Sequence, residues 1–152
     1  MNFDLTEDEL MLQAVAERFV TDRYDIIRQR VYQAARQGFS AENWVLLAEI
    51  GILAAPFALE HGGLGASQTD IALIAEALGT GLAVEPWIDS VLVAGQLLAE
   101  SATPAVLSAW IDGLMNGQKR LALAYREAGA CGNDALIETR AEPVADGWQI
   151  NG

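Results

Sequence analysis

One cysteine, Cys131, and one histidine, His61, are all that the 152 residues offer of the side chains that build disulfides and most metal clusters. An internal disulfide framework is thereby excluded, and a lone thiol suits a reducing compartment. His61, beside Glu60, is the one imidazole base, and no metal-ligand set is assigned. Cations are scarce too. Nine Lys and Arg stand against 21 Asp and Glu, a formal net charge of −12. Nucleic-acid binding is excluded, because its dominant electrostatic term needs a basic face. Between Gln37 and Gln118 there is no Lys or Arg at all, yet there are nine acids. That stretch must be held by apolar burial, and its acids face either water or a basic partner. A long unbroken apolar run is also missing. Leu82 to Ala99 is interrupted by Glu85, Pro86 and Asp89, whereas a spanning helix needs roughly 20 mostly apolar residues. The first residues are acidic, unlike the basic start of a signal peptide. The expectation is a soluble, cytoplasmic protein with no membrane segment.

What is present is apolar. Hydrophobic residues make up 52% of the chain, ample for a packed core and too many for a disordered one. Thr6 with Glu9 three residues on forms a capping-box pattern. Leu10, Met11, Ala14, Val15 and Phe19 then recur at helical steps. A second helix carries Ile26, Ile27, Val31, Tyr32 and Ala35, closed by Gly38. A third opens at Ser40 and carries Trp44, Leu47 and Ile50. Ile52 to Phe57 reads as a buried connector, and Gly62-Gly63-Leu64-Gly65 as a plain turn, since it lacks the spacing and Lys of a phosphate loop. Ser67 with Asp70 caps a fourth helix through Ile71, Ile74 and Leu78 to Gly79. Pro86 suits the first turn of a fifth, and Thr103-Pro104 opens a sixth that ends at Gly117.

After Gly117 the pattern changes. Arg120 to Tyr125 and Leu136 to Glu142 read as strands, Ala145-Asp146-Gly147 as a turn, and Trp148-Gln149-Ile150 as a returning strand. The fold class is mainly α, a bundle of about six helices followed by the first strands of a β domain. The expected division is a helical domain over 1–117 and the start of a β domain over 118–152. Two or three strands need more sheet than this, so the chain reads as the front part of a longer protein.

Several segments together resemble the acyl-CoA dehydrogenase family. Leu5-Thr6-Glu7-Asp8-Glu9 resembles its opening helix. Gly51 to Phe57 followed by Glu60-His61-Gly62-Gly63-Leu64-Gly65 is similar to the family's "G-(apolar)-P…E-x-GG-x-G" segment. Leu123 to Ala130 stands where the family has a strand ending in "T-E-P-G-A-G-S-D". Thr139-Arg140-Ala141 and Asp146 to Gly152 resemble its "T-x-A…DG-(aromatic)-x-(aliphatic)-NG". The resemblance runs along the whole chain.

It implies an N-terminal helical domain, a middle β domain and a C-terminal helical domain, with FAD between the last two. It implies α,β-dehydrogenation of an acyl-CoA thioester, in which a glutamate takes the α-proton and the β-hydride goes to the flavin. Electrons then pass to an electron-transferring flavoprotein. The base normally comes from the C-terminal domain, so no catalytic residue is assigned here. On the cofactor side the matching positions are Leu123, Tyr125, Arg126, Gly129, Ala130, Gly132 and Asn133. Arg126 stands where the family has a Thr, and Ala128 where it has Pro. A cation there would favour an anionic reduced flavin, or turn to solvent, or crowd the ring. In the family the fourth and fifth helices line the acyl pocket, which implies a wall of Ile74, Leu78, Leu82, Val84 and Ile88. Members are homo- or hetero-oligomers, and some pair an active subunit with a degenerate one. A partner subunit without catalysis, or a related flavin oxidase or monooxygenase, are the alternative readings.

Overall fold

The computed structural model describes residues 4–127 and 137–152. The chain divides into two compact units, Met1–Ala122 and Leu123–Gly152.

The first unit is helical. Its helices are α1 (Glu7–Arg23), α2 (Ile26–Ala34), α3 (Ala41–Glu49), α4 (Gln68–Thr80), α5 (Ala94–Ser101) and α6 (Pro104–Met115). A single 3₁₀ turn, Leu59–His61, lies before α4, and a π-helical turn, Ile88–Val93, runs into α5. Start signals act as the side chains predict. The Thr6 hydroxyl accepts from Glu9 N–H at 3.2 Å, and the Glu9 carboxylate accepts from Thr6 N–H at 2.7 Å. Ser67 and Asp70 repeat that box on α4. Glu7, Asp8 and Glu9 in the first turn of α1 and Arg23 in its last complement the helix dipole. The cap of α2 is Asp25, whose carboxylate accepts from Ile27 and Arg28 N–H at 2.9 Å each. Those bonds hold Asp25 below its ordinary pKa. Helix α2 stops at Ala34, ahead of Gly38, and α4 runs one residue past Gly79.

Helix α1 packs on α4 through Phe19 and Ala16 on one side and Ile74, Ala77 and Leu78 on the other. The core continues through Trp44, Leu47, Phe57, Trp87, Val91, Ile111 and Leu114. The connector Ile52–Phe57 runs through the middle of it. A buried non-helical segment must find partners for its backbone, and the glycine-rich turn supplies them. Leu64, Gly65 and Ala66 N–H donate to the carbonyls of Ala54, Phe57 and Ala55 at 3.1, 2.8 and 2.9 Å. A Cβ on Gly63 would stand 2.1 Å from the Phe57 carbonyl oxygen, so only glycine lets the turn close.

The helical unit extends past the expected boundary at 117. Lys119 N–H donates to the Gly113 carbonyl at 2.7 Å, and its ammonium lies 4.8 Å from the Trp110 ring centroid. The Arg120 guanidinium lies 5.1 Å from the Phe39 ring, and Leu121 N–H donates to the Ser90 hydroxyl at 2.9 Å. The expected strand at Arg120–Tyr125 is therefore not a strand. Leu121 N–H goes to the Ser90 side chain, and the run has no ladder partner among the described residues.

The second unit holds an antiparallel hairpin, β1 (Arg140–Val144) and β2 (Gly147–Asn151). The register runs from Arg140↔Asn151 to Val144↔Gly147 around the Ala145-Asp146 turn. The strand expected over 136–142 thus begins at Arg140, and Leu136 lies outside the described residues. All ten strand residues are exposed.

Candidate functional site

The end of α4 makes an unusual exit. Leu82 N–H donates to the Gly79 carbonyl and Ala83 N–H to that of Leu78, each at 3.0 Å. Leu82 then takes φ 51°, a left-handed conformation that costs a non-glycine residue and persists only where neighbours enforce it. The neighbour is Tyr24, just beyond the end of α1. Its hydroxyl accepts from Val84 N–H at 3.2 Å and donates to the Glu85 carboxylate. The Tyr24 ring is fixed edge-on against Tyr32, with centroids 5.5 Å apart, and tilted on Phe19. Burial, and after it the hydrogen bond to Glu85, pushes the Tyr24 hydroxyl well above its ordinary pKa, so it stays neutral. Trp87 anchors the other end of this strap by donating its indole N–H to the Ile52 carbonyl at 3.1 Å.

Between the strap, the end of α4 and the π-helical turn lies a cavity of about 420 Å³. Leu78, Leu82, Val84 and Ile88 line it, four of the five residues expected to form an acyl wall. The fifth, Ile74, has no exposed surface and sits in the core against α1, outside the cavity lining. Glu85 and Asp89 line the cavity too. Sequence reading met these acids only as interruptions of an apolar run. The signal was available: an acid inside an apolar segment of a helical domain needs a buried partner. Tyr24 carried no signal of its own.

A larger cavity, about 580 Å³, lies along α1 and is lined by Val15, Phe19, Leu46, Ile50 and two arginines. Both cations are committed, Arg18 to Asp22 at 3.5 Å and Arg23 to Glu42 at 2.9 Å. His61 approaches Glu60 at 3.6 Å and shares a cavity with Ser108 and Asp112. No hydrogen bond among the described residues joins those three into a nucleophile and base. No cluster of three or more potential metal ligands occurs among the described residues. No helix there is long and apolar enough to cross a membrane.

Of the cofactor-side positions, Leu123 and Tyr125 are 41% and 40% exposed. The Arg126 guanidinium lies over the Tyr125 ring, 5.2 Å from its centroid. Glu127 accepts from Glu138 and Thr139 N–H at 2.8 and 2.9 Å and from the Thr139 hydroxyl. These bonds, the hydroxyl's first, hold its carboxylate below the usual range. Gly129, Ala130, Gly132 and Asn133 lie outside the described residues.

Comparison with known proteins bears on this arrangement. The family described as acyl-CoA dehydrogenase, N-terminal domain, matches residues 6–118. The chain is 29% identical to acyl-CoA dehydrogenase FadE27 of Mycobacterium tuberculosis over an alignment of 165 positions, covering 99% of this chain and 44% of that one. It is 26% identical to FadE12 of the same species over 121 positions, covering 79% of this chain and 31% of the other. The chain thus spans less than half the length of these curated relatives. Among solved structures, a steroid acyl-CoA dehydrogenase variant, Tcur3481-Tcur3483, superposes with a TM-score of 0.84 at 28% identity, over 96% of this chain and 40% of that one. The ChsE4-ChsE5 complex from M. tuberculosis superposes with a TM-score of 0.83 at 26% identity, over 100% and 40%.

Proposed function

Because the chain belongs to the acyl-CoA dehydrogenase family, whose N-terminal helical domain it carries, we propose that it serves FAD-dependent α,β-dehydrogenation of an acyl-CoA thioester and supplies one wall of the acyl pocket. The observation that carries the reading is the gathering of Leu78, Leu82, Val84 and Ile88 around one cavity at the end of α4. An apolar wall holds the acyl chain and excludes water from the reacting carbons. The flavin, when bound, supplies the hydride acceptor. Within the described residues, a run outside helix and strand with an exposed aromatic ring and a guanidinium suits a planar, carbonyl-bearing ligand. Tyr125 and Arg126 would hold it, with Leu123 beside them; Gly129, Ala130, Gly132 and Asn133 are the further positions that the family resemblance implies. The Arg126 guanidinium, over the Tyr125 ring, is a donor for a carbonyl oxygen. No residue of the chain is proposed as the base that takes the α-proton. An electron-transferring flavoprotein is the proposed acceptor, and the site of action is the cytoplasm.

A second reading is a partner subunit that shapes the pocket of a heteromer without itself turning over substrate. It is favoured by the likeness to structures of paired chains and by the Arg at 126 where the family has Thr. The visible spectrum of the intact protein, purified alone and then with the product of its neighbouring gene, separates the two. Flavin bands from the protein alone that bleach on adding acyl-CoA support the dehydrogenase. Colour gained only with the partner supports the second reading. No colour in either case overturns both.

A further inference from the structure

The cavity at the end of α4 carries charge of one sign only. Glu85 and Asp89, four residues apart, line it beside its apolar wall, and no Lys, Arg or His is among its lining residues. Glu85 is 8% exposed. Its Oε2 takes the Tyr24 hydroxyl, while its Oε1 is closed to solvent and has no hydrogen-bond partner. Burying a carboxyl with one oxygen unused is costly, and a donor brought to that oxygen recovers the cost. A second carboxylate brought to the same place adds repulsion in a medium that screens poorly.

We propose that Glu85 is the specificity-determining residue of this cavity, selecting acyl groups whose far end carries a hydroxyl donor and rejecting acyl groups that end in a carboxylate. The inference rests on reading the cavity as the acyl site. Because Oε1 is covered, the selection requires the end of the acyl chain to displace the atoms that cover it. Sites that hydrogen-bond a substrate hydroxyl discriminate strongly, because the unmade bond leaves a buried group unpaired. Asp89, which is exposed, adds a weaker field of the same sign.

The test uses the intact, flavin-loaded protein and two CoA thioesters of equal chain length, one ending in –CH2OH and one in –CO2⁻. Kd and kcat/KM are measured for both. Wild type is expected to favour the hydroxyl compound by about tenfold or more. Glu85→Gln keeps an acceptor for Tyr24 but removes the charge, and narrows the preference to within about threefold, mainly by admitting the carboxylate. Asp89→Asn, at an exposed position that tolerates change, narrows it in the same direction by less. Equal affinity in wild type, or a preference that neither variant moves, overturns the proposal. Binding of neither thioester overturns the acyl-site reading beneath it, whereas equal binding of both overturns only the role of Glu85.

Discussion

The two units treat their tryptophans differently. Trp44 and Trp87 in the helical unit are each 1% exposed, and both indole N–H groups are spent on backbone carbonyls, of Gly117 and Ile52. Trp148 in the hairpin is 68% exposed, and Ile150 beside it 71%. The helical unit therefore has a buried core of its own, whereas none of the hairpin's ten strand residues is buried. A two-stranded ribbon is marginal in water because it has no second layer to bury against. Stability belongs to the first unit, and the contrast predicts which substitutions are felt.

The largest effects fall where the connector crosses the core. Gly63→Ala drives a methyl into the Phe57 carbonyl, so either the turn or the connector must move. A loss comparable to a core truncation is expected, about 3–5 kcal/mol by the scale for removing a large aromatic. Trp87→Ala is expected in the same range, since it leaves a cavity and orphans the Ile52 carbonyl. Urea unfolding followed by circular dichroism reads both. A Gly63→Ala variant as stable as wild type would break the idea that this glycine is fixed by close approach.

How much of this was legible in the residues depended on the range of the interaction. Capping boxes at Thr6 and Ser67 could be read because a cap is a contact over three residues. The buried connector was legible because Ile52–Phe57 is apolar and bounded by glycines. The strand expected at Arg120–Tyr125 failed for the opposite reason. Its residues favour a strand, but a strand needs a neighbour, and Ser90, 31 positions away, takes the Leu121 N–H instead. Four of the expected wall residues line one cavity because they follow one another through the end of α4 and the strap. Ile74 lies outside that lining and in the core, because helical period alone does not say which face meets α1. Tyr24, 61 positions from Glu85, was out of reach of any local pattern.

Tyr24→Phe sharpens the comparison at intermediate size. It removes one hydroxyl and leaves Val84 N–H and the Glu85 carboxyl without their partner. Leaving buried groups unpaired costs about 1–3 kcal/mol. The pH dependence carries a sign as well. The folded-state pKa of this hydroxyl is raised above its unfolded value of 10.0. Its stabilisation is therefore complete below that value and is lost as pH rises through the folded pKa. Wild type should lose stability above about pH 10 more steeply than Tyr24→Phe, in thermal melts across the alkaline range. Parallel slopes would show that the hydroxyl does not titrate with folding. Ser67→Ala, which removes the cap of α4, should cost about 1 kcal/mol with no alkaline signature.

Trp148→Ala is the smallest expected effect and the most direct test of the contrast. An exposed side chain outside a core changes stability by no more than about 0.5 kcal/mol, so the unfolding midpoint of the helical unit should not move. The emission should move. Trp148 contributes the most water-exposed, red-shifted part of the fluorescence, whereas Trp44 and Trp87 emit from a buried setting and Trp110 from a half-buried one. Its removal should shift the native spectrum to the blue while leaving the unfolding transition where it was. A midpoint that falls with Trp148→Ala would mean that the hairpin supports the helical unit after all, and the division of labour between the two would have to be redrawn.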